Sequence, residues 1–245
     1  MSAAQSFLLD GKAIPFREGD TIMDAALRAG AYIPHLCHNP DFAPHGSCRV
    51  CVVNIDGRNV SACTQPAAAG LNIDNSSAAI TGQRRALLQM LFVEGNHVCP
   101  GCEKSGACQL QAVAYYCNML APHFTHFFPR RALDASHPEF IIDFNRCILC
   151  ELCVRASRDV DGKEVFALSG RGIGSRLVIN AATGKLGDST FSAADKAAHV
   201  CPVGAILPRN KGFDQPIGKR LYDLQPISIV GDVAENAREE DEHGG

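Results

Sequence analysis

The chain opens with short runs in which apolar and polar residues alternate. Residues 6–10 and 12–16 flank Gly11, a pattern that predicts a short β-hairpin. Asp20 is then placed to cap a helix over residues 21–29, with Gly30 ending it. Ile22, Ala25, Ala26 and Ala29 fall on one face of that helix. Beyond a loop containing Pro and His, residues 51–55 and 59–63 predict a second hairpin around the turn dipeptide Asp56–Gly57. Residues 71–73 predict one more short strand. Hairpin, helix, hairpin, strand is the order of a small β-grasp domain.

From about Ala78 the apolar period becomes helical. Leu87, Leu88, Leu91 and Phe92 form a stripe, and Gly95 is a natural stop. A cysteine-bearing loop and a short helix follow, to about Leu120. A third region begins near Pro129. It holds a tight cysteine run, a glycine-rich connection at 169–175, a strand at 177–180 and a helix leading to Cys201. After Gly231, the acids Asp232, Glu235, Glu239, Glu240, Asp241 and Glu242 predict a solvated, mobile end. No internal repeat of fixed period occurs.

Composition sharpens this picture at one point only. With 245 residues, 46% of them hydrophobic, the chain can bury a sizeable core in one large or two small domains. A net charge of −3 supplies no basic field for nucleic acid or anionic lipid. The amino terminus lacks the basic start and apolar stretch of a secretory signal. No apolar run reaches the roughly 18 residues of a membrane span. A soluble, cytoplasmic protein is the expectation. The anomaly is twelve cysteines. In a small secreted protein they would suggest disulfides. Most are clustered at short gaps in a chain without export features, which points to metal ligands.

The first set is Cys37, Cys48, Cys51 and Cys63. A Cys-x2-Cys pair with one cysteine before it and one well after resembles the plant-type arrangement for a [2Fe–2S] cluster. Gly46-Ser47-Cys48-Arg49 offers small residues and turn N–H groups that can point at sulfur. A four-cysteine zinc site is the alternative, although zinc ribbons usually bring two close pairs and only one is close here. The second set is Cys99, Cys102 and Cys108, which can hold three corners of a [4Fe–4S] cube. His97 is the nearest fourth ligand, and a neutral imidazole in place of a thiolate generally raises the reduction potential. An ordinary loop histidine, with Cys117 as the competing ligand, is the other reading. Cys117 is expected to be a small buried hydrophobe. The third set is Cys147, Cys150 and Cys153, the bacterial ferredoxin run, with Cys201 as a remote fourth ligand before Pro202.

The order of these motifs resembles the N-terminal electron-transfer region of the large peripheral subunit of respiratory complex I. More specifically, it resembles the small diaphorase subunit of soluble NAD-reducing [NiFe] hydrogenases. The stretches 32–37, 46–51, 94–111 and 201–204 carry the resemblance, which runs from about Ser6 to Tyr222. Two departures stand out. The complex I pattern has its ligand histidine four positions before the first cysteine of the second set, and Gly95 occupies that position here. The complex I subunit also continues into a further large domain, whereas this chain ends after its last cluster segment.

The resemblance implies an α+β fold in four parts. These are a β-grasp [2Fe–2S] domain at 1–78, a helical [4Fe–4S] segment with one His and three Cys ligands at 79–128, a bacterial-ferredoxin-like [4Fe–4S] domain at 129–230, and an acidic tail at 231–245. It implies one [2Fe–2S] and two [4Fe–4S] clusters forming a relay. The partners would be an FMN/NAD-binding diaphorase subunit and the small and large hydrogenase subunits. The two [4Fe–4S] clusters would be the main line, with the [2Fe–2S] toward the flavin side.

No catalytic site is expected on the chain itself. Gly170-Arg-Gly172-Ile-Gly174 lacks the dinucleotide fingerprint, and no phosphate loop or nickel–iron ligand pattern is present. The rivals are an electron-input subunit of an NAD-dependent formate dehydrogenase or a complex I-like enzyme and, from another class, a zinc-binding scaffold.

Overall fold

The computed structural model describes residues 5–232. Its first unit is a five-stranded sheet. Strands β1 (Ser6–Leu9) and β2 (Lys12–Pro15) form a hairpin, as do β3 (Val52–Ile55) and β4 (Arg58–Ser61). Both hairpins turn on Asp–Gly pairs with positive φ at each residue, the geometry whose twist suits antiparallel strands. Strand β5 (Asn72–Asp74) enters between them, parallel to β1 and antiparallel to β3, giving the order β2-β1-β5-β3-β4.

Helix α1 (Ile22–Arg28) lies against this sheet with Ile22, Met23, Ala25 and Ala26 buried. Its N-cap is Thr21, one residue later than the sequence pattern predicted. The Thr21 hydroxyl accepts from Asp24 N, and the Asp24 carboxylate accepts from Thr21 N. Asp20 is drawn off instead to Arg17 N and the Arg28 guanidinium.

Helix α2 (Ala78–Val93) starts at a Ser77 cap and ends at Glu94, one residue before Gly95. Its inward face differs from the expected stripe. Ile80, Arg84, Leu88 and Val93 are buried, while Leu87, Leu91 and Phe92 are only half-buried. The helix packs along the sheet unit and needs one deep line of contact. Helix α3 (Gln109–Tyr116) buries Leu110, Ala112 and Val113, and Cys117 closes it with 2% exposure, as a small apolar side chain would.

The third region is built on a small sheet of β6 (Leu133–Asp134), β7 (Phe140–Asp143) and β10 (Ile206–Pro208), ordered β10-β7-β6. Between β7 and β10 lie the short helix α4 (Leu152–Arg155), the hairpin of β8 (Phe166–Ser169) and β9 (Arg176–Ile179), and helix α5 (Lys196–His199). The glycine-rich connection joins β8 to β9. A last turn of helix, α6 (Ile227–Val230), packs Ile227 into the core.

Two apolar cores result. One belongs to the five-stranded unit and includes Cys51 and Cys63; the other joins all three regions and includes Cys37, Cys108, Cys117, Cys150 and Cys153. Asp232 departs from the expectation of a solvated tail. It is buried, its carboxylate 3.0 Å from the Nε2 of the fully buried His35. The remaining tail acids lie outside the described residues. No helix is long and apolar enough to cross a membrane, among the described residues.

Candidate functional site

The first cysteine set sits on the seam between the two cores. Cys37 and Cys48 come from the loop after α1, Cys51 from the start of β3, and Cys63 from the end of β4. Cys51 Sγ and Cys63 Sγ lie in hydrogen-bond contact at 3.4 Å, and Cys48 N approaches Cys37 Sγ at 3.5 Å. Thiols of Cys48 and Cys63 also donate to Cys37 and hold its proton affinity far below that of a free thiol. Cys51 is lowered to about 7, chiefly by its hydrogen bond with Cys63, and Cys63 is raised in turn, first by its bond to Cys37. The loop reaches this shape through left-handed backbone at Gly46 and Arg49, the latter costing on the order of 1 kcal/mol in a non-glycine residue.

The third set is assembled by strand register. Ile142 of β7 pairs with Ile206 of β10. Asp143 N donates to Ala205 O at 2.8 Å at the end of that pairing, so the segment before Cys147 runs beside the segment after Cys201. Leu149 and Glu151 take left-handed backbone on either side of Cys150, coiling the loop so that its thiols share a side. Cys147, Cys150, Cys153 and Cys201 line one cavity with Leu168, Leu177 and Val203. Burial raises Cys150 and Cys153 and pushes Cys147 up to about 11. Unliganded, these thiols keep their protons; metal binding must displace them.

The second set lines another cavity, with His97, Cys99, Cys102, Cys108, Arg146 and Gly204 on its walls. Burial pushes Cys108 up to about 12 and lowers His97 to about 4, so the imidazole is neutral and able to bind metal. Its Nε2 is buried without a hydrogen-bond partner. An orphaned nitrogen on an imidazole that lines the same cavity as three thiols suits a missing cluster corner. The glycine at position 95 has a physical reason. A Cβ there would meet His97 Nε2 at 2.6 Å and Asn145 O at 2.8 Å. The ring of His97 thus occupies the space that a side chain at 95 would need. Gly204 is equally constrained, since its Cβ would meet Cys102 Sγ at 2.8 Å.

The three sites adjoin. Gln109 N, next to Cys108, donates to the carbonyl of Pro202, next to Cys201, at 2.9 Å. Asn96 N donates to Asn145 O at 2.9 Å, and Arg146, which stands on the second cavity's wall, immediately precedes Cys147. Arg155, two residues after Cys153, donates to the carbonyl of Cys37 at 2.5 Å. Among the described residues, no three His, Cys, Asp or Glu side chains are grouped to hold a single metal ion. Thiols spread around the second and third cavities fit multi-iron clusters better than a lone tetrahedral zinc, while the first-set thiols touch one another directly.

Sequence reasoning collected every cysteine that lines these cavities, but it missed Arg84 and Arg155. The one available signal was an arginine at helical spacing between Ile80 and Leu88.

Comparisons with known proteins assign families to the segments that carry these cysteines. Residues 2–78 match the 2Fe-2S iron-sulfur cluster binding domain. Residues 84–123 match the NADH-ubiquinone oxidoreductase-G iron-sulfur binding region, and 140–207 the 4Fe-4S single cluster domain. The chain is an α+β iron–sulfur protein of the electron-transfer class, with one [2Fe–2S] and two [4Fe–4S] clusters as its cofactors.

It is 40% identical over 220 residues to the NAD-reducing hydrogenase HoxS subunit gamma of Cupriavidus necator, covering 89% of this chain and 93% of that one. It is 31% identical over 206 residues to the NADPH-Fe(3+) oxidoreductase subunit alpha of Geobacter sulfurreducens, where 83% of this chain spans 24% of the relative. A crystal structure of an NAD+-reducing [NiFe]-hydrogenase in the H2-reduced state has a chain 53% identical to this one. The two superpose with a TM-score of 0.90, over 93% of this chain and 97% of the other. The chain belongs to the family of the gamma subunit of NAD-reducing hydrogenase.

Proposed function

We propose that this chain is the electron-transfer subunit of an NAD-reducing [NiFe] hydrogenase. In that assembly H2 and NAD+ become NADH and a proton. Hydrogen activation and hydride transfer belong to other subunits, and this chain passes single electrons between them. The ligands are Cys37, Cys48, Cys51 and Cys63 for the [2Fe–2S] cluster, His97, Cys99, Cys102 and Cys108 for one [4Fe–4S] cluster, and Cys147, Cys150, Cys153 and Cys201 for the other. The unit boundaries are 1–78, read as a β-grasp, 79–128 and 129–230, with a tail at 231–245. The partners are an FMN/NAD-binding diaphorase subunit and the hydrogenase subunits, and the compartment is the cytoplasm.

The observation that carries this reading is the contact of three separate thiol sets through the backbone and neighbours of their own ligands. A relay needs its stations close, and burial keeps the electron off solvent. The surface near the second set adds support. Val98 and Leu120 are 68% and 77% exposed. Exposed apolar side chains beside a redox site suit a subunit interface.

The test is anaerobic purification through a tag on this chain. A flavoprotein and a [NiFe] hydrogenase should accompany it, and either H2 or NADH should reduce its clusters. A formate dehydrogenase partner, or none, contradicts the proposal.

A further inference from the structure

Two arginines are buried deep in the molecule, and among the described residues neither forms an ion pair with a carboxylate, although Asp159 feels the charge of Arg155. Arg84 on α2 is 2% exposed, and Arg155 on α4 is 4% exposed. Arg84 donates from Nε to Val50 O at 3.1 Å and from Nη2 to Val52 O at 2.6 Å, so it holds the carbonyls on both sides of Cys51. It also donates to Asn75 O and Asn75 Oδ1. Arg155 donates to Cys37 O and, at 3.0 Å, to Ala43 O, with its guanidinium 5.6 Å from the ring centre of Phe42. Its buried Nε has no partner. Among the described residues neither arginine is in an ion pair, whereas Arg28, Arg146, Arg158 and Arg220 all are. Asp74 feels the charge of Arg84, but its Oδ1 accepts from Ser76 N and Ser77 N.

A guanidinium sealed from water without a counter-charge is expensive, and carbonyl dipoles offset only part of the cost. Both cations are fixed on the backbone that carries the first thiol set. A [2Fe–2S] centre on four thiolates is net anionic and gains a further negative charge on reduction, and net charge and surrounding dipoles tune its potential. We infer that Arg84 and Arg155 are the resident counter-charges of the [2Fe–2S] site, holding its reduction potential up while clamping its loop to the two [4Fe–4S] units. The inference rests on the assignment of Cys37 and Cys51 as ligands of that cluster. The arginines differ in reach. Arg84 flanks the first set alone, while Arg155 also stands two residues from Cys153, between the first and third sets.

The test is a redox titration of the intact complex followed by electron paramagnetic resonance. Arg84→Met should shift the [2Fe–2S] midpoint downward and leave both [4Fe–4S] midpoints in place. Arg155→Met should lower the [2Fe–2S] and third-set midpoints together. Arg84→Lys and Arg155→Lys keep the charge but lose the planar fork. They should stay close to the parent midpoint, and they serve as the deciding pair if the methionine variants do not assemble. Unmoved midpoints in the methionine variants, or a full downward shift in the lysine variants, overturn the inference. Cys51→Ser separates the underlying assignment. If it leaves the [2Fe–2S] signal unchanged, the ligand reading fails, whatever the arginines do.

Discussion

Gly95 and His97 show how one residue's absence of a side chain licenses another's role. The imidazole lies where a Cβ at 95 would fall, with Nε2 free of protein partners and the ring against the edge of Phe92 at 5.4 Å. Gly95→Ala should therefore displace His97 and alter or abolish the signal of the second-set cluster, with the other two signals intact. Gly101→Ala, where nothing lies within 4 Å of the added methyl, should leave all three unchanged. Equal spectra for both variants would return His97 to an ordinary loop residue. The histidine itself was legible as a candidate because three cysteines left a corner unfilled. What permits it to reach the site was not, since a glycine before a loop reads first as a helix stop. Arg84, Arg155 and Asp232 were hidden for a related reason. Charged side chains mark solvated faces by default, and only tertiary packing shows when they turn inward.

At the level of elements, local chemistry made much of the first unit readable. Gly11 announced the first hairpin and the Asp56–Gly57 turn the second, and the helix began within one residue of its expected cap. The miss is instructive. Asp20 and Thr21 are both good caps, and the capping box with Asp24 decides between them. Thr21→Ala should lower stability by about 1 kcal/mol, measured by chemical denaturation, with cluster spectra preserved. A loss of the [2Fe–2S] signal at unchanged stability would mean that α1 supports the cluster directly. Other elements could not be read locally. The pairing of β7 with β10 joins residues far apart in sequence, and it is this pairing that brings Cys201 to the Cys147 run. Spacing proposed Cys201 as the partner, and the β7–β10 pairing accounts for how the two stretches of chain come close.

For the molecule as a whole, the spacing of twelve cysteines proposes three ligand sets with Cys117 left over. Cys117 shares the larger core with Cys37, Cys108, Cys150 and Cys153, but it lines neither thiol cavity. Three segments that looked like separate units in sequence share one core, because α2, α3 and α4 lean on the loop that carries Cys37. That sharing was invisible beforehand, as apolar patterning reports that a face is buried but not against what. It matters for function, since a relay works only if the segments hold their clusters at fixed separation.

The central claim is that this chain carries one [2Fe–2S] and two [4Fe–4S] clusters on the three sets. The most direct measurement is metal and acid-labile sulfide analysis of the anaerobically purified protein, with electron paramagnetic resonance after reduction. The account predicts about ten iron atoms and as many sulfides per chain, in one [2Fe–2S] and two [4Fe–4S] signals. Zinc in place of iron, or fewer than three cluster signals at full iron loading, would contradict it.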